Sequence, residues 1–401
     1  MFQYGLEVLQ KDSELLEKLK GRRVGVLASP ASVDQKLGHI MNWAHDSSSI
    51  HLSCGFGAQH GIFGEKQDNM IESDDQMDSK YQVPVYSLYG QVRRPTKEML
   101  DQFDVLLFDL QDLGCRIYTF LTTLIYIAED LQGTDKEIWV LDRPNPAGRV
   151  IEGSLLKEGF ESFVGVGPIL MRHGLTLGEC LNWAVKKFGY DVKTRVVPMK
   201  GYRPDSTPWP QGLSWINPSP NVPTLSMAPM YAGTVLLEGT HLSEGRGTTR
   251  PLEQFGAPGF DSEKIISWMS KNLPEGWLED CLLRPCFFEP TFHKFKGELV
   301  AGIHIHADLP HHDPNGFVPY RLIAGYLKAV HQLYPDFEIW KQPPYEYEER
   351  LLPIEILSGG EKLKQFVEDD RFSAEDFDRF LRQDEEAWQK EVLDLDVLIY
   401  K

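Results

Sequence analysis

Short apolar runs alternate with longer amphipathic stretches along the first half of the chain. Runs rich in β-branched residues predict buried strands, and apolar positions three or four residues apart predict helices. The predicted strands are 23–28, one beginning at His51, 83–88, 104–109, 138–142 and 195–198, and the predicted helices are 29–45, 116–131 and 176–188. This alternation is typical of βαβ units, so we expect a mainly parallel sheet with helices on both faces.

The pattern changes at a proline-rich segment, 202–224, which predicts an ordered loop or a domain junction. The elements predicted beyond it are helices 262–271 and 318–333 and strands 286–288 and 299–307. They indicate a second, α+β domain, so we assign residues 1–225 to the first domain and residues 226–401 to the second. The acidic stretch 373–391 predicts a packed terminal helix with a solvated acidic face.

Composition and charge exclude several classes of protein. Of the 401 residues, 42% are hydrophobic and 25% are charged, which is typical of a chain with a packed core. The 41 Lys and Arg against 59 Asp and Glu give a formal charge of −18, which disfavours nucleic acid and anionic membranes as partners. Five widely spaced cysteines do not suggest a disulfide framework. We expect no membrane span and a cytoplasmic location, with export left open if a leader has been removed.

Polar side chains cluster where three predicted strands end. These strand ends are 57–69, 108–119 and 141–146, and they carry carboxylates, amides, guanidinium groups and the imidazole of His60. Open parallel sheets bind ligands at the carboxyl ends of their strands, so this inventory favours acid–base chemistry on a hydroxyl-rich ligand. The alternative is structural, with Asp109 capping a helix and Asp142 paired to Arg143.

A further polar cluster follows the proline-rich segment. Residues 217–224 lead into 237–250, where glycines at 239, 245 and 247 allow the backbone to approach a ligand closely. We interpret this cluster as the lip of a binding site, and the alternative is a glycine-rich turn with surface charges.

No cofactor or metal is predicted. The chain has neither GxGxxG after its first strand nor a GxxxxGK[ST] phosphate loop, and it has no GxSxG elbow. His304 and His306 share a strand face and His311, His312 and Asp313 follow, but alternating histidines on a strand are more typical of a solvated face than of a metal site.

Several long strings together resemble the NamZ family of exo-acting peptidoglycan β-N-acetylmuramidases. The strings are SLYG (87–90), RRPTKEML (93–100), FDLQDLGCRIYT (108–119), VLDRPNPAG (140–148), RHGLTLGE (172–179), PSPNVPT (218–224), LLEGTHLSEGRGTTRP (236–251) and PPYEYE (343–348). The resemblance runs through nearly the whole chain. It implies a Rossmann-like N-terminal domain, a smaller α+β C-terminal domain, and a cleft between them that releases terminal N-acetylmuramic acid from peptidoglycan-derived glycans. It implies no cofactor or metal.

One departure from the family pattern concerns the catalytic acid. Many members carry Glu-His-Gly where this chain has Gln59-His60-Gly61, and an amide does not transfer the catalytic proton as a carboxyl group does. Either another carboxylate acts as the acid, or the activity differs from that of the type members. The carboxylates considered for this role are Glu65, Asp109, Asp112, Asp142, Glu238 and Glu244.

The predicted site follows from these motifs and from the resemblance. The predicted catalytic residues are Asp109, Asp112, Glu244 and His60. The predicted substrate-binding residues are Gln59, Arg116, Tyr118, Asp142, Arg143, Asn145, His173, Asn221, Glu238 and Arg246. Arg116, Arg143 and Arg246 are expected to meet the lactyl carboxylate, because a planar guanidinium binds a carboxylate bidentately. The competing hypotheses are a non-catalytic saccharide-binding protein and a glycosidase for another acidic amino sugar. The oligomeric state is left open.

Overall fold

The fold is described from a computed structural model for residues 1–64, 66, 71–310, 313 and 315–400. Its strands are β1 (Arg23–Ala28), β2 (His51–Gly57), β3 (Gln76–Met77), β4 (Pro84–Ser87), β5 (Val105–Asp109), β6 (Glu137–Leu141), β7 (Glu152–Leu155), β8 (Leu170–Arg172), β9 (Lys193–Val197), β10 (Gln254–Ala257), β11 (Leu282–Phe288) and β12 (Val300–His306). Its α-helices are α1 (Gly5–Lys11), α2 (Ser13–Leu19), α3 (Ile40–Asp46), α4 (Lys97–Leu100), α5 (Phe120–Asp130), α6 (Leu177–Phe188), α7 (Met227–Thr234), α8 (Ser262–Asn272), α9 (Pro319–Leu333), α10 (Pro353–Ser358), α11 (Lys362–Glu368) and α12 (Ala374–Asp394).

A seven-stranded sheet organises the N-terminal half in the order β3-β4-β2-β1-β5-β6-β9. The neighbouring strands are parallel, except that β3 pairs antiparallel with β4 at the edge. The chain builds outward from β1 to β2 and β4, then returns beside β1 with β5 and continues to β6 and β9. This reversal creates a crevice at the carboxyl ends of the strands, where open α/β sheets bind ligands. The predicted α/β class with a mainly parallel sheet is confirmed.

The central strands are apolar because both of their faces are covered. In β1, Val24, Val26 and Leu27 have no exposed surface, and β5 is buried along its whole length. Near-continuous apolar strands are characteristic of parallel sheets covered by helices. The flanking helix α6 begins at a capping box of Thr176 and Glu179, which satisfies backbone N–H groups at its start.

The C-terminal half contains a three-stranded antiparallel sheet in the order β10-β12-β11. Helices α8 and α9 pack against each other, and α8 contacts both β11 and β12. This arrangement agrees with the smaller α+β part predicted from the sequence, while the boundary at residue 225 stays a prediction. No helix in the described ranges is long and apolar enough to cross a membrane.

Two predicted helices begin later than the sequence pattern indicated. The stretch before His45 is helical only in α3, because the Asp34 carboxylate accepts hydrogen bonds from the backbone N–H groups of Lys36 and Gly38 and stabilises a turn there. Helix α5 starts at Phe120 rather than at residue 116, because the preceding residues bond to other segments instead, as the Arg116 N–H does to the Met171 carbonyl.

The predicted terminal helix is present as α12, but its acidic face is only partly solvated. Asp384 is buried, accepting from the Leu155 N–H at 2.9 Å and pairing with Lys157 at 2.6 Å. Glu385 pairs with the buried Arg321 at 2.6 Å. Asp384 therefore attaches α12 to the N-terminal half of the chain and Glu385 attaches it to α9, which helical periodicity alone does not reveal.

Candidate active site

A pocket at the carboxyl end of β2 gathers six of the predicted site residues. Its cavity volume is about 30 Å³, and its lining also includes Thr119, Ser219, Tyr231, Tyr345 and Glu346. The six predicted residues that line it are Gln59, His60, Tyr118, Asn221, Glu238 and Arg246. Because Glu238 and Glu346 supply its two carboxyl groups, we call it the two-glutamate pocket.

Glu238 is held as part of a buried ion pair. Its carboxylate accepts from Arg246 Nη2 at 2.5 Å and from the Tyr345 hydroxyl at 2.9 Å. The side chains of Glu238 and Arg246 are only 6% and 5% exposed, so this charge-assisted contact is shielded from solvent. The partners fix the position of the Glu238 carboxylate in the pocket.

Glu244 lies behind this pair rather than in the pocket lining. It has no exposed surface and contacts Lys294 Nζ at 2.7 Å, His293 Nδ1 at 3.2 Å and Arg246 Nε at 3.4 Å. Burial would raise the pKa of Glu244, but the nearby positive charges outweigh it and hold the pKa well below its usual range. Glu244 is therefore suited to supporting Arg246 and not to donating a proton.

Glu346 is the site residue that the sequence reasoning missed. Its side chain is 4% exposed, and its Oε2 accepts from the Tyr89 hydroxyl at 2.9 Å. Burial raises the pKa of Glu346 to about 7, with the negative charge of Glu238 adding to the rise and the Tyr89 hydrogen bond opposing it. The available signal was the PPYEYE string at 343–348, which carries Glu346 but has no strand or helix pattern.

Gln59 and His60 form the wall of the pocket that follows β2. The Gln59 side-chain oxygen accepts from the Thr119 hydroxyl at 2.8 Å. His60 adopts a left-handed backbone conformation with φ of 72°, and its Nδ1 lies 2.7 Å from the Lys66 carbonyl. Glu65, one of the carboxylates considered from the sequence, lies outside the described residues.

Four predicted residues at the ends of β5 and β6 lie outside the two-glutamate pocket. Asp109 forms a bidentate pair with Arg143, at 2.5 and 3.0 Å, and Arg143 lines a separate cavity with Tyr4. Asp142 accepts from the hydroxyls of Thr176 and Tyr400, each at 2.7 Å. The Asn145 amide donates to the carbonyls of residues 148 and 175 and accepts from the N–H of residue 147. These contacts are structural, but they differ from the predicted structural alternative, since Asp109 pairs with Arg143 instead of capping a helix and Asp142 is not paired with Arg143.

Arg116 also lies outside the two-glutamate pocket. Its guanidinium donates to the carbonyls of Ser154 at 2.8 Å, Ile169 at 2.9 Å and Leu357 at 3.0 Å. The residue has no exposed surface, and burial lowers its pKa to about 10. Arg116 therefore ties distant segments of the chain together instead of facing a ligand.

Asp112 and His173 lie close to each other in the interior. The Asp112 carboxylate accepts from the Gly114 N–H at 2.6 Å and lies 3.8 Å from His173 Nε2. Burial raises the pKa of Asp112 to about 7, and burial followed by the charge of Arg116 lowers the pKa of His173 to about 3. Neither residue lines the two-glutamate pocket.

Within the described ranges, no group of three or more His, Cys, Asp or Glu side chains could hold a metal ion. His304 and His306 instead contact Arg284, at 2.9 and 3.2 Å. His311 and His312 lie outside the described residues. All five cysteines are free and buried.

Comparison with known proteins assigns the family. The model of the N-terminal part of exo-β-N-acetylmuramidase NamZ matches residues 24–226, and the model of its C-terminal part matches residues 229–400. The chain belongs to the NamZ family. It is 38% identical over 338 residues to the peptidoglycan β-N-acetylmuramidase NamZ of Bacillus subtilis. The match covers 84% of this chain and 79% of that protein.

Two solved structures of DUF1343 family proteins from Bacteroides fragilis share the fold of this NamZ family member. One superposes with a TM-score of 0.84 at 30% identity, and the other with a TM-score of 0.76 at 24% identity. Each match covers 100% of this chain and 99% of the other. The likeness therefore extends over the complete described architecture.

Proposed function

We propose that this chain is an exo-acting β-N-acetylmuramidase that releases terminal N-acetylmuramic acid from peptidoglycan-derived glycans. The observation that carries the proposal is the pair of carboxyl groups in the two-glutamate pocket, where Glu238 is ion-paired with Arg246 and Glu346 accepts from the Tyr89 hydroxyl. Glycosidic bonds are commonly cleaved by two carboxyl groups, one protonated and one charged. Family membership and the B. subtilis relative support the same reaction.

The pocket is the cleft that we propose between the two domains. Its lining residues up to Val222 come from the predicted first domain, and those from Tyr231 onward come from the second. A substrate in this cleft would contact both halves of the chain. In this proposal Gln59, Tyr118 and Asn221 bind sugar hydroxyl or acetamido groups, since their amide and hydroxyl groups both donate and accept hydrogen bonds.

Glu346 is the general acid in this mechanism. With a pKa raised to about 7 by burial, a large fraction of Glu346 carries a proton at neutral pH, and this proton passes to the glycosidic oxygen as the bond to the anomeric carbon breaks. The Glu238 carboxylate, held against Arg246, stabilises the positive charge that develops on the sugar ring. A water then bonds to the anomeric carbon, and the Glu346 carboxylate takes its proton. Glu346 thus takes the role that the Gln59 amide does not perform.

The test uses a chromogenic muramic acid glycoside and the Glu346→Gln variant. We expect kcat/KM to fall about 10²–10⁴-fold, because a positioned general acid contributes this much. In the wild-type protein, kcat/KM should also decline as the pH rises through about 7, since Glu346 loses its proton there, and the variant should lack this decline.

Glu349→Gln is the matched control, because Glu349 lies three residues away and is exposed to solvent. It should retain wild-type kcat/KM. Near-normal turnover by Glu346→Gln would contradict the assignment of the acid. A wild-type protein that binds N-acetylmuramic acid but turns over no muramyl glycoside would instead favour the saccharide-binding alternative that Gln59 suggests.

A further inference from the structure

N-Acetylmuramic acid differs from N-acetylglucosamine by a lactyl ether that carries a carboxylate, so a selective enzyme needs a cation to meet it. The three arginines predicted for this task are already occupied by protein groups. Arg116 donates to three backbone carbonyls, Arg143 is paired with Asp109, and Arg246 is paired with Glu238.

Arg93 lies beside the two-glutamate pocket. Its guanidinium contacts two aromatic rings, 4.3 Å from the centre of Tyr89 and 4.0 Å from the centre of Tyr347, and the planes of these rings are 71° apart. The Tyr89 hydroxyl donates to Glu346 Oε2, so a single ring separates the arginine from the proposed acid. The positive charge of Arg93 also acts to lower the pKa of Glu346, which agrees with this proximity. These two cation–π contacts hold the guanidinium at the edge of the site.

The hydrogen bonds of Arg93 are incomplete. Nη1 donates to the carbonyls of Gly90 and Val92, and Nη2 contacts Glu72 Oε1 at 3.1 Å. The Nε atom is buried and has no acceptor within the described part of the chain. The side chain of Arg93 is 17% exposed, whereas that of Glu72 is 52% exposed. An ion pair to such an exposed carboxylate is weak, so another carboxylate can replace it at little cost.

We propose that Arg93 binds the lactyl carboxylate of the substrate in place of Glu72. The inference rests on the proposed function and specifies how that same site distinguishes muramic acid from neutral amino sugars. The Nε and Nη2 atoms lie on one edge of the guanidinium and present two parallel donors, which is the geometry that a carboxylate accepts. The RRPTKEML string at 93–100 carries this residue, but the sequence gives no indication that its guanidinium lies beside the pocket.

The experiment compares two substrates of nearly equal size, a chromogenic muramic acid glycoside and its lactyl carboxamide. The wild-type protein should prefer the carboxylate at least tenfold in kcat/KM, because the amide lacks the charge that Arg93 meets. Arg93→Gln should lower kcat/KM for the carboxylate at least tenfold while changing that for the amide less than threefold. Arg93→Lys should retain part of the preference, since it keeps the charge but loses the planar pair of donors.

Arg94→Gln is the matched control. Arg94 is adjacent in sequence and stacks on Tyr126, but it is paired with Glu129 at 2.6 Å and Asp130 at 2.7 Å. The Arg94→Gln variant should keep the wild-type preference for the carboxylate substrate over the carboxamide. A wild-type protein active on both glycosides without preference, or equal losses for both in Arg93→Gln, would overturn the role of Arg93. If the wild-type protein cleaves neither glycoside, the proposed function fails. Titration with N-acetylmuramic acid then tests Arg93 independently. We expect at least tenfold weaker binding in Arg93→Gln, and unchanged binding would overturn the role of Arg93.

Discussion

At the residue scale, identical side chains acquire different chemistry from their surroundings. Glu346 is buried with a tyrosine hydroxyl as its partner, and its pKa rises to about 7. Glu244 is equally buried, yet Lys294 and His293 hold its pKa well below the usual range. Burial raises the pKa of a carboxyl group where it outweighs the nearby cations, as for Glu346, and the pKa falls where the cations outweigh burial, as for Glu244. This difference distinguishes the proposed proton donor, Glu346, from Glu244, which supports Arg246 behind the pocket.

Gln59→Glu should change kcat/KM on a muramic acid glycoside by less than about tenfold. If Glu346 supplies the proton, a second carboxyl group in the same pocket adds little, and its charge repels Glu238 and Glu346. Gln59→Leu serves as a comparison that removes the hydrogen bond with Thr119 without adding charge. An increase of about 10²–10⁴-fold in Gln59→Glu, the size expected for a newly positioned general acid, would assign the acid role to position 59 instead.

At the element scale, the end of the chain is bound to the interior of the parallel sheet. The Tyr400 hydroxyl donates to Asp142 at 2.7 Å, just beyond β6, and accepts from the Met199 N–H at 2.9 Å. Glu179, in the first turn of α6, accepts from the Ile399 N–H at 2.8 Å. These contacts join β6, α6 and the C-terminus. Residues predicted as ligand contacts, Asp142 among them, serve this connection.

Tyr400→Phe should lower the free energy of unfolding by about 1–3 kcal/mol, because it removes a donor from the buried Asp142 and an acceptor from the Met199 N–H. Urea denaturation measures the change. Tyr326→Phe is the control, since the buried Tyr326 hydroxyl has no partner within the described ranges and its removal should cost no stability. A loss of equal size in both variants would show that the hydrogen bonds of Tyr400 contribute nothing specific.

At the scale of the whole molecule, several buried carboxyl groups couple stability to pH. Burial is the largest cause that raises the pKa of Asp112 and Glu152 to about 7 and that of Asp142 to about 6. Between about pH 4 and 7 the folded chain keeps these protons, whereas the unfolded chain has released them. The contribution of these groups is therefore fully present below about pH 4 and is lost as the pH rises to about 7.

Asp112→Asn isolates one of these groups, because the amide cannot ionise. The difference in the free energy of unfolding, Asp112→Asn minus wild type, should rise by about 2–3 kcal/mol from pH 5 to pH 8. The reason is that the folded wild-type protein loses the buried Asp112 proton over this interval and is thereby destabilised, whereas the variant has no such proton. Urea denaturation at each pH measures the difference. Asp336→Asn, at an exposed position, is the control and should follow the wild-type curve. If the free energy of unfolding of Asp112→Asn changed with pH in the same way as that of the wild-type protein, the raised pKa of Asp112 would be contradicted.

Local sequence patterns predicted most strands of the parallel sheet and the family of the chain. Apolar periodicity is a local property, so the strands at 23–28 and 104–109 and the helix at 176–188 were predictable from neighbouring residues alone. The strings shared with the NamZ family are local too, and one of them contains Glu346. Gln59 also stands where the family resemblance implies a glutamate, so the sequence implied either another carboxyl group as the acid or a different activity.

Tertiary packing determines which polar residues face the pocket and which form hydrogen bonds and ion pairs that stabilise the fold. Tyr89 and Glu346 are 257 positions apart, and Arg116 and Leu357 are 241 positions apart. A pKa depends on burial and on charges within a few ångströms, and residues so distant in sequence become neighbours only when the sheet and its helices pack. For that reason the sequence could nominate Arg116, Arg143 and Asp109 for the site, while the fold assigned them to structural roles and brought Glu346 and Glu238 together.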